Sequence, residues 1–155
     1  MGQIATFLQK WQIAIAALRA APNARLPHAA VQFAGLSFAN PLGLAAGFDR
    51  QGTMIRALGR LGFGHIEIGT VTPEDRLAYT RLPIGGLRIG VNIGSRRRGL
   101  DEDVIADFAT VLQAVFQKAD YIVANLSSPF ASRAADTRGI ERLSRVSKSG
   151  LPGFG

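Results

Sequence analysis

The stretch Leu87-Arg-Ile-Gly-Val-Asn-Ile-Gly94, followed by Asp101-Glu-Asp-Val-Ile-Ala-Asp-Phe108 and then Tyr121-Ile-Val-Ala-Asn-Leu-Ser127, decides the fold. Its first and last pieces are apolar runs of strand length. Between them, Val104, Ile105, Phe108, Leu112, Val115 and Phe116 recur at helical spacing and form a wide apolar stripe. Asp101 is placed to cap that helix, with Glu102 and Asp103 at its positive end. A strand, a helix and a second strand make one βαβ unit, and strands expected to be buried on both faces indicate a parallel sheet.

The same grammar runs upstream. Pro41 to Gly47 is an apolar run, Met54, Ile55, Leu58 and Leu61 mark one helical face within Thr53 to Leu61, and His65 to Thr70 is a further strand. Before these, Val31 and Phe33, then Leu36 and Phe38, alternate around Gly35 and read as a short hairpin broken at Asn40-Pro41. Val71 to Gly86 carries only a weak helical pattern, interrupted by Pro73 and Pro83. At the amino end, Ile4, Phe7, Leu8, Trp11, Ile15 and Leu18 share a helical face that Ala21-Pro22 terminates. That amphipathic helix either packs on its own domain or lies on a bilayer surface with Trp11 at the interface.

Composition narrows the chemistry. The 155 residues suffice for one compact core, and 47% hydrophobic with 19% charged residues is a globular balance. Cys is absent, which excludes disulfides, thiolate metal sites and a Cys nucleophile. The formal charge of +7 favours anionic ligands or surfaces. Its densest run, Arg96-Arg97-Arg98, has no interleaved aromatic, so nucleic-acid binding is not expected. No stretch approaches the roughly 20 apolar residues of a membrane span.

Each apolar strand ends in a small or amide-bearing residue: Ala46 and Gly47, Gly69 and Thr70, Asn92, Asn125. These ends recur at roughly the length of a βα unit. In a parallel barrel they would share the rim on which ligands bind; in a doubly wound sheet they would cap helices and loops. A rim of Gly, Thr and two Asn is neutral and rich in donors and acceptors. It suits a planar heterocycle better than a metal, because no His and carboxylate cluster accompanies it.

Four ordered motifs sharpen this reading. Asn40-Pro-Leu-Gly-Leu-Ala-Ala-Gly-Phe-Asp49, Leu61-Gly-Phe-Gly-His-Ile-Glu-Ile-Gly-Thr-Val-Thr-Pro73, Val91-Asn-Ile-Gly94 and Asn125-Leu-Ser-Ser-Pro129 closely resemble the first four barrel strands of the quinone-dependent dihydroorotate dehydrogenases. The resemblance implies a TIM-type (β/α) barrel of which about four βα units are present. They would span 31–143, preceded by the amphipathic helix at 1–24 and followed by a polar, Gly-rich tail at 144–155. It implies FMN as cofactor, with Ala46 and Gly47 against the flavin ring and Thr70, Asn92 and Asn125 in contact with it. Arg50 and Asn125 would touch substrate. Ser128 would be the base that takes a proton from C5 of dihydroorotate while hydride passes from C6 to the flavin, which requires a closed, dry pocket.

The resemblance further implies a quinone acceptor, a role in pyrimidine biosynthesis, and a cytoplasmic protein seated peripherally on the inner membrane through its first helix. Three departures stand out. Arg50 replaces the family's Lys, a broader fork than an ammonium. The family's substrate-gripping segment after the second strand is missing between Glu74 and Gly86, and Phe130 replaces a substrate-binding Asn. A four-strand front with no phosphate loops is expected to expose two edges and an apolar face, and so to need an oligomeric partner or the other barrel half. Beside the flavoenzyme reading therefore stand a non-catalytic half-barrel scaffold and an inactive gene fragment. His65 is expected to be structural, and Glu67 to pair with Arg88.

Overall fold

The computed structural model describes residues 29–75, 77, 85–97 and 101–126, together with the isolated positions 9, 12, 13, 16 and 141. The amphipathic helix at 1–24 and the tail at 144–155 lie outside the described residues, apart from those isolated positions. Strand β1 (Val31–Phe33) pairs antiparallel with β2 (Leu36–Phe38), Val31 opposite Phe38. Ala34 and Gly35 turn the chain with φ of 48° and 77°, the left-handed pair that a two-residue hairpin requires. The hairpin read around Gly35 is therefore present.

Strands β3 (Gly43–Leu44), β4 (His65–Val71), β5 (Arg88–Ile93) and β6 (Tyr121–Ala124) form a second sheet, wholly parallel, in the spatial order β3-β4-β5-β6. Each strand lies beside its sequence neighbour. A doubly wound sheet would reverse direction at a switch point, whereas sequential addition is how a barrel is wound. Helix α1 (Ile55–Gly59) follows β3, and helix α2 (Glu102–Val115) crosses from β5 to β6. Asp101 caps α2 as its side chain accepts from the Val104 N–H at 3.0 Å, and Glu102 and Asp103 occupy the first turn.

The core lies on one face of the sheet. Ile66, Ile68, Ile89, Val91 and Ile93 point to it and join Ile55, Leu58, Val104, Phe108, Val111 and Val115, all buried. Burial on both faces, expected from the continuous apolar runs, holds for β5, where Gly90 and Asn92 are buried along with Ile89, Val91 and Ile93, but not for β4 or β6. The opposite, concave face carries His65, Glu67 and Tyr121, each part-exposed, and Phe33 is 73% exposed.

The concave face is organised by glycines. Gly43 is the β3 partner of His65, and a Cβ at Gly43 would collide with the His65 ring. Gly90 lies between Glu67 and Tyr121 in one row, and the Tyr121 ring crosses it to donate its hydroxyl to Glu67 at 3.3 Å. Burial pushes the Tyr121 hydroxyl well up, and the Glu67 carboxylate adds to this, so the phenol stays a neutral donor.

The expected Glu67–Arg88 pair is not formed. Register places Arg88 beside His65 rather than Glu67, and the Arg88 guanidinium instead meets Asp120 at 3.3 Å and donates to the Ser37 carbonyl at 2.9 Å. That last bond ties the hairpin to the starts of the strands. Phe38 packs edge-on against His65 and Tyr121, with ring centroids 5.5 and 6.2 Å away. His65 thus sits among aromatics at the end opposite the strand tips.

Candidate functional site

Backbone pairing continues past the strand ends. Gly47 N–H donates to the Gly69 carbonyl at 2.9 Å, Gly94 N–H to Val71 at 2.9 Å, and Asn125 N–H to Ile93 at 2.9 Å. These bonds hold the first residues of three loops side by side. Within β4, Gly69 pairs with Asn92 and Val71 with Ile93, so Thr70 is the extra residue of a bulge. Strict alternation would turn Thr70 toward the core with Ile66 and Ile68. The bulge re-aims it onto the concave rim and returns Val71, 3% exposed, to the core.

From there the Thr70 hydroxyl donates to Asn92 Oδ1 at 2.9 Å and accepts from Asn125 Nδ2 at 3.4 Å. One hydroxyl thereby links two amides from two further strands. Asn92 is buried at 8% exposure, so its orientation is set by this bond and its surroundings rather than by water. Gly47 sits at the end of the row with φ of 99° and is exposed, and a Cβ added to it would meet nothing within 4 Å. Ala46 precedes it, half-buried. Of the residues singled out from the sequence, Ala46, Gly47, Arg50, Thr70, Asn92 and Asn125 come together on one rim; Ser128 and Phe130 lie outside the described residues.

Two aspartates that the sequence reading passed over shape this rim. Asp49, 3% exposed, accepts from Thr53 N–H at 2.9 Å, Thr53 Oγ1 at 3.2 Å and Met54 N–H at 2.8 Å, fixing the loop that carries Gly47 and Arg50. Asp75 accepts from Thr72 N–H at 2.9 Å, and the single Thr72 hydroxyl proton is shared between Asp75 at 2.8 Å and Glu74 at 2.7 Å. Thr72-Pro73-Glu74-Asp75 has the spacing of a capping box with Pro at its first helical position, a signal that could have found it.

Asp75 also meets Arg50 at 3.5 Å and Arg96 at 3.3 Å, while Arg50 donates to the Thr70 carbonyl at 3.3 Å. Burial alone would raise the Asp75 carboxyl, but the Thr72 hydrogen bonds and the two arginines outweigh it and hold it below the ordinary value of 3.8. The exposed Glu74 carboxyl is lowered chiefly by the Thr72 hydroxyl. A depressed folded-state value stabilises the fold fully above the unfolded value, and that contribution is lost as pH falls through the folded one. Wild-type stability is therefore expected to drop more steeply than that of Asp75→Asn between about pH 5 and 2, read from urea midpoints at each pH.

A separate concavity of about 530 Å³ lies at the strand starts, between the hairpin and the concave face, lined by Phe33, Leu36, Phe38, His65, Glu67 and Tyr121 among others. It is mostly apolar. The convergent polar groups are at the strand ends, and there the candidate site is placed.

The chain is similar to known proteins of one family. The dihydroorotate dehydrogenase family profile matches residues 28–83. The quinone-type dihydroorotate dehydrogenase of Alkalilimnicola ehrlichii is 36% identical over 150 aligned positions, covering 77% of this chain and 44% of that protein. Its counterpart from Cronobacter sakazakii is 35% identical, covering 80% and 46%. The chain thus spans less than half the length of these curated relatives. Two solved structures of the Eimeria tenella enzyme share the fold. The ferulenol complex has a TM-score of 0.74 at 23% identity over 95% of this chain and 50% of that one, and the ligand-free form has 0.73 at 22% over 98% and 55%. The four-stranded sheet is accordingly part of a TIM-type barrel.

Proposed function

The chain belongs to the dihydroorotate dehydrogenase family, and from that membership we propose that it contributes the flavin-facing front of an FMN-dependent oxidoreductase that converts dihydroorotate to orotate with a quinone as acceptor. The observation that carries this reading is the Asn125–Thr70–Asn92 chain of hydrogen bonds beside the open backbone of Gly47. A planar heterocycle needs a flat apolar floor and a fixed edge of donors and acceptors. Ala46 and Gly47 supply the floor; Asn92 and Asn125, locked through Thr70, supply the edge. FMN, when bound, would provide the hydride acceptor.

The remaining roles fall to the chain's own groups. Arg50 would bring its guanidinium to the substrate side of the rim, already oriented by the Thr70 carbonyl. Asn125 would orient the substrate ring. Ser128 would take the C5 proton, a role that rests on the family motif. Peripheral membrane contact through the first helix, and with it a place on the inner membrane, belongs to the same proposal; among the described residues no helix is long and apolar enough to cross a membrane.

The purified chain is expected to quench flavin fluorescence with micromolar affinity and to remain yellow after free FMN is removed by gel filtration. A colourless protein that leaves flavin fluorescence unchanged at high micromolar concentration rejects the reading. It would favour the second one, a non-catalytic half-barrel scaffold. The apolar concavity and the exposed Phe33 support that alternative.

A further inference from the structure

Two arginines from different loops converge on one carboxylate at the edge of the amide cluster. Arg50 follows β3 and reaches Asp75 Oδ2 at 3.5 Å; Arg96 follows β5 and reaches Asp75 Oδ1 at 3.3 Å, with Glu74 3.6 Å away. Asp75 is anchored independently, by the backbone and hydroxyl of Thr72. It would keep those two bonds if either arginine left. The Arg50 nitrogen that meets Asp75 also touches the carbonyl of Thr70, whose hydroxyl joins Asn92 to Asn125. The cations at the mouth of the site are therefore already matched by carboxylates of the chain itself, two against two.

We propose that Asp75 is an internal competitor for anionic ligands: it occupies the guanidinium groups of Arg50 and Arg96 that a small planar carboxylate would otherwise take, and so sets the affinity of the rim for that ligand. The inference rests on the function proposed above for its choice of carboxylate. The geometry favours exchange. Both guanidinium contacts are long and neither is the two-pronged fork that makes an arginine–carboxylate pair strong. The arginine side chains are 53% and 57% exposed, and pairs so exposed contribute little to stability. A ligand carboxylate that offers each guanidinium a better-aligned partner can displace Asp75, which then remains on Thr72. The competition is nonetheless felt by every anion that approaches, because the rim presents a balanced set of charges instead of two free cations.

The test compares orotate with its uncharged amide analogue, titrated calorimetrically into wild type and Asp75→Asn. The Asn retains through its amide oxygen an acceptor for the Thr72 N–H and hydroxyl, while its NH2 replaces the oxygen that accepts from Arg96, so the charge and that arginine contact go together. Orotate is expected to bind the variant about fivefold more tightly at low ionic strength, the gain shrinking below about twofold in high salt, and the amide to bind both proteins alike. Glu74→Gln, which alters an exposed carboxylate with a single longer arginine contact, is expected to shift orotate in the same direction by less. It keeps the test decisive if Asp75→Asn proves poorly folded. Equal or weaker orotate binding by these variants overturns the proposal, as does an equal gain for the amide, or no orotate binding by any form at millimolar concentration. The flavin titration reports separately. A chain that ignores FMN yet binds orotate more tightly without Asp75 retains this inference and loses the parent reading, and flavin uptake with charge-independent orotate binding does the reverse.

Discussion

Gly69→Ala is expected to lower the unfolding free energy by about 2–5 kcal/mol and to abolish flavin uptake at the same time. Gly69 has φ of 115°, in the region that an L side chain rarely adopts. A Cβ there would run into the backbone carbonyl oxygen of Asn92 and come within 2.9 Å of the Val71 N–H. Neither obstacle is a flexible side-chain tip; both belong to paired strands, so β4 or β5 must move. Strain at φ contributes about 1–2 kcal/mol and overpacking against backbone about 1–3 kcal/mol, and their sum is a large share of a typical domain's stability of about 5–15 kcal/mol. The functional loss follows from the same geometry. Gly69 opens the bulge that turns Thr70 onto the rim, and its carbonyl accepts the Gly47 N–H. Urea titration followed by circular dichroism reads the first effect and flavin fluorescence the second. A midpoint indistinguishable from wild type would mean that the bulge tolerates a side chain and does not fix the site.

The bulge also marks where reading the sequence stops being sufficient. The strands, the Asp101 cap and the hairpin at Gly35 are legible because each depends on local pattern: alternation, helical period, a left-handed turn. The recurrence of Gly47, Thr70, Asn92 and Asn125 at strand tips is legible for the same reason. Which side chains meet across the sheet is not local. Glu67 and Arg88 have opposite charges on adjacent strands, but pairing depends on a register that no single strand encodes. The actual register sets Glu67 opposite Gly90 and lets Tyr121 reach over it. The part-exposure of one face of β4 escaped for a related reason. The concave residues His65 and Glu67 are interleaved with isoleucines, and a run that is apolar on average conceals the alternation. Asp49 and Asp75 carry no strong pattern of their own, although each accepts from a backbone amide within five residues of itself.

Asp49 is where the second large loss is expected. Asp49→Ala should cost about 3 kcal/mol and weaken flavin and orotate binding together, because a buried carboxylate accepting three hydrogen bonds leaves two backbone N–H groups without partners when it is removed. Hydrogen bonds to a charged group contribute about 1.5–3 kcal/mol each, and solvent reaching the vacated space would recover part of that. The more informative change is Asp49→Asn, which keeps size and shape. Its amide can accept from Thr53 through Oδ1, but its NH2 then faces the Met54 N–H, donor against donor. A loss close to that of Asp49→Ala would show that both acceptor oxygens are required; a loss under about 1 kcal/mol would show that volume alone holds the loop. Because Asp49 touches no part of the amide cluster, its effect on ligands must pass through Gly47 and Arg50, the adjoining residues of its loop. Flavin affinity should therefore fall with stability across both Asp49 variants. By contrast, Thr70→Val should weaken flavin more than it weakens the fold, since it breaks the link between Asn92 and Asn125 directly.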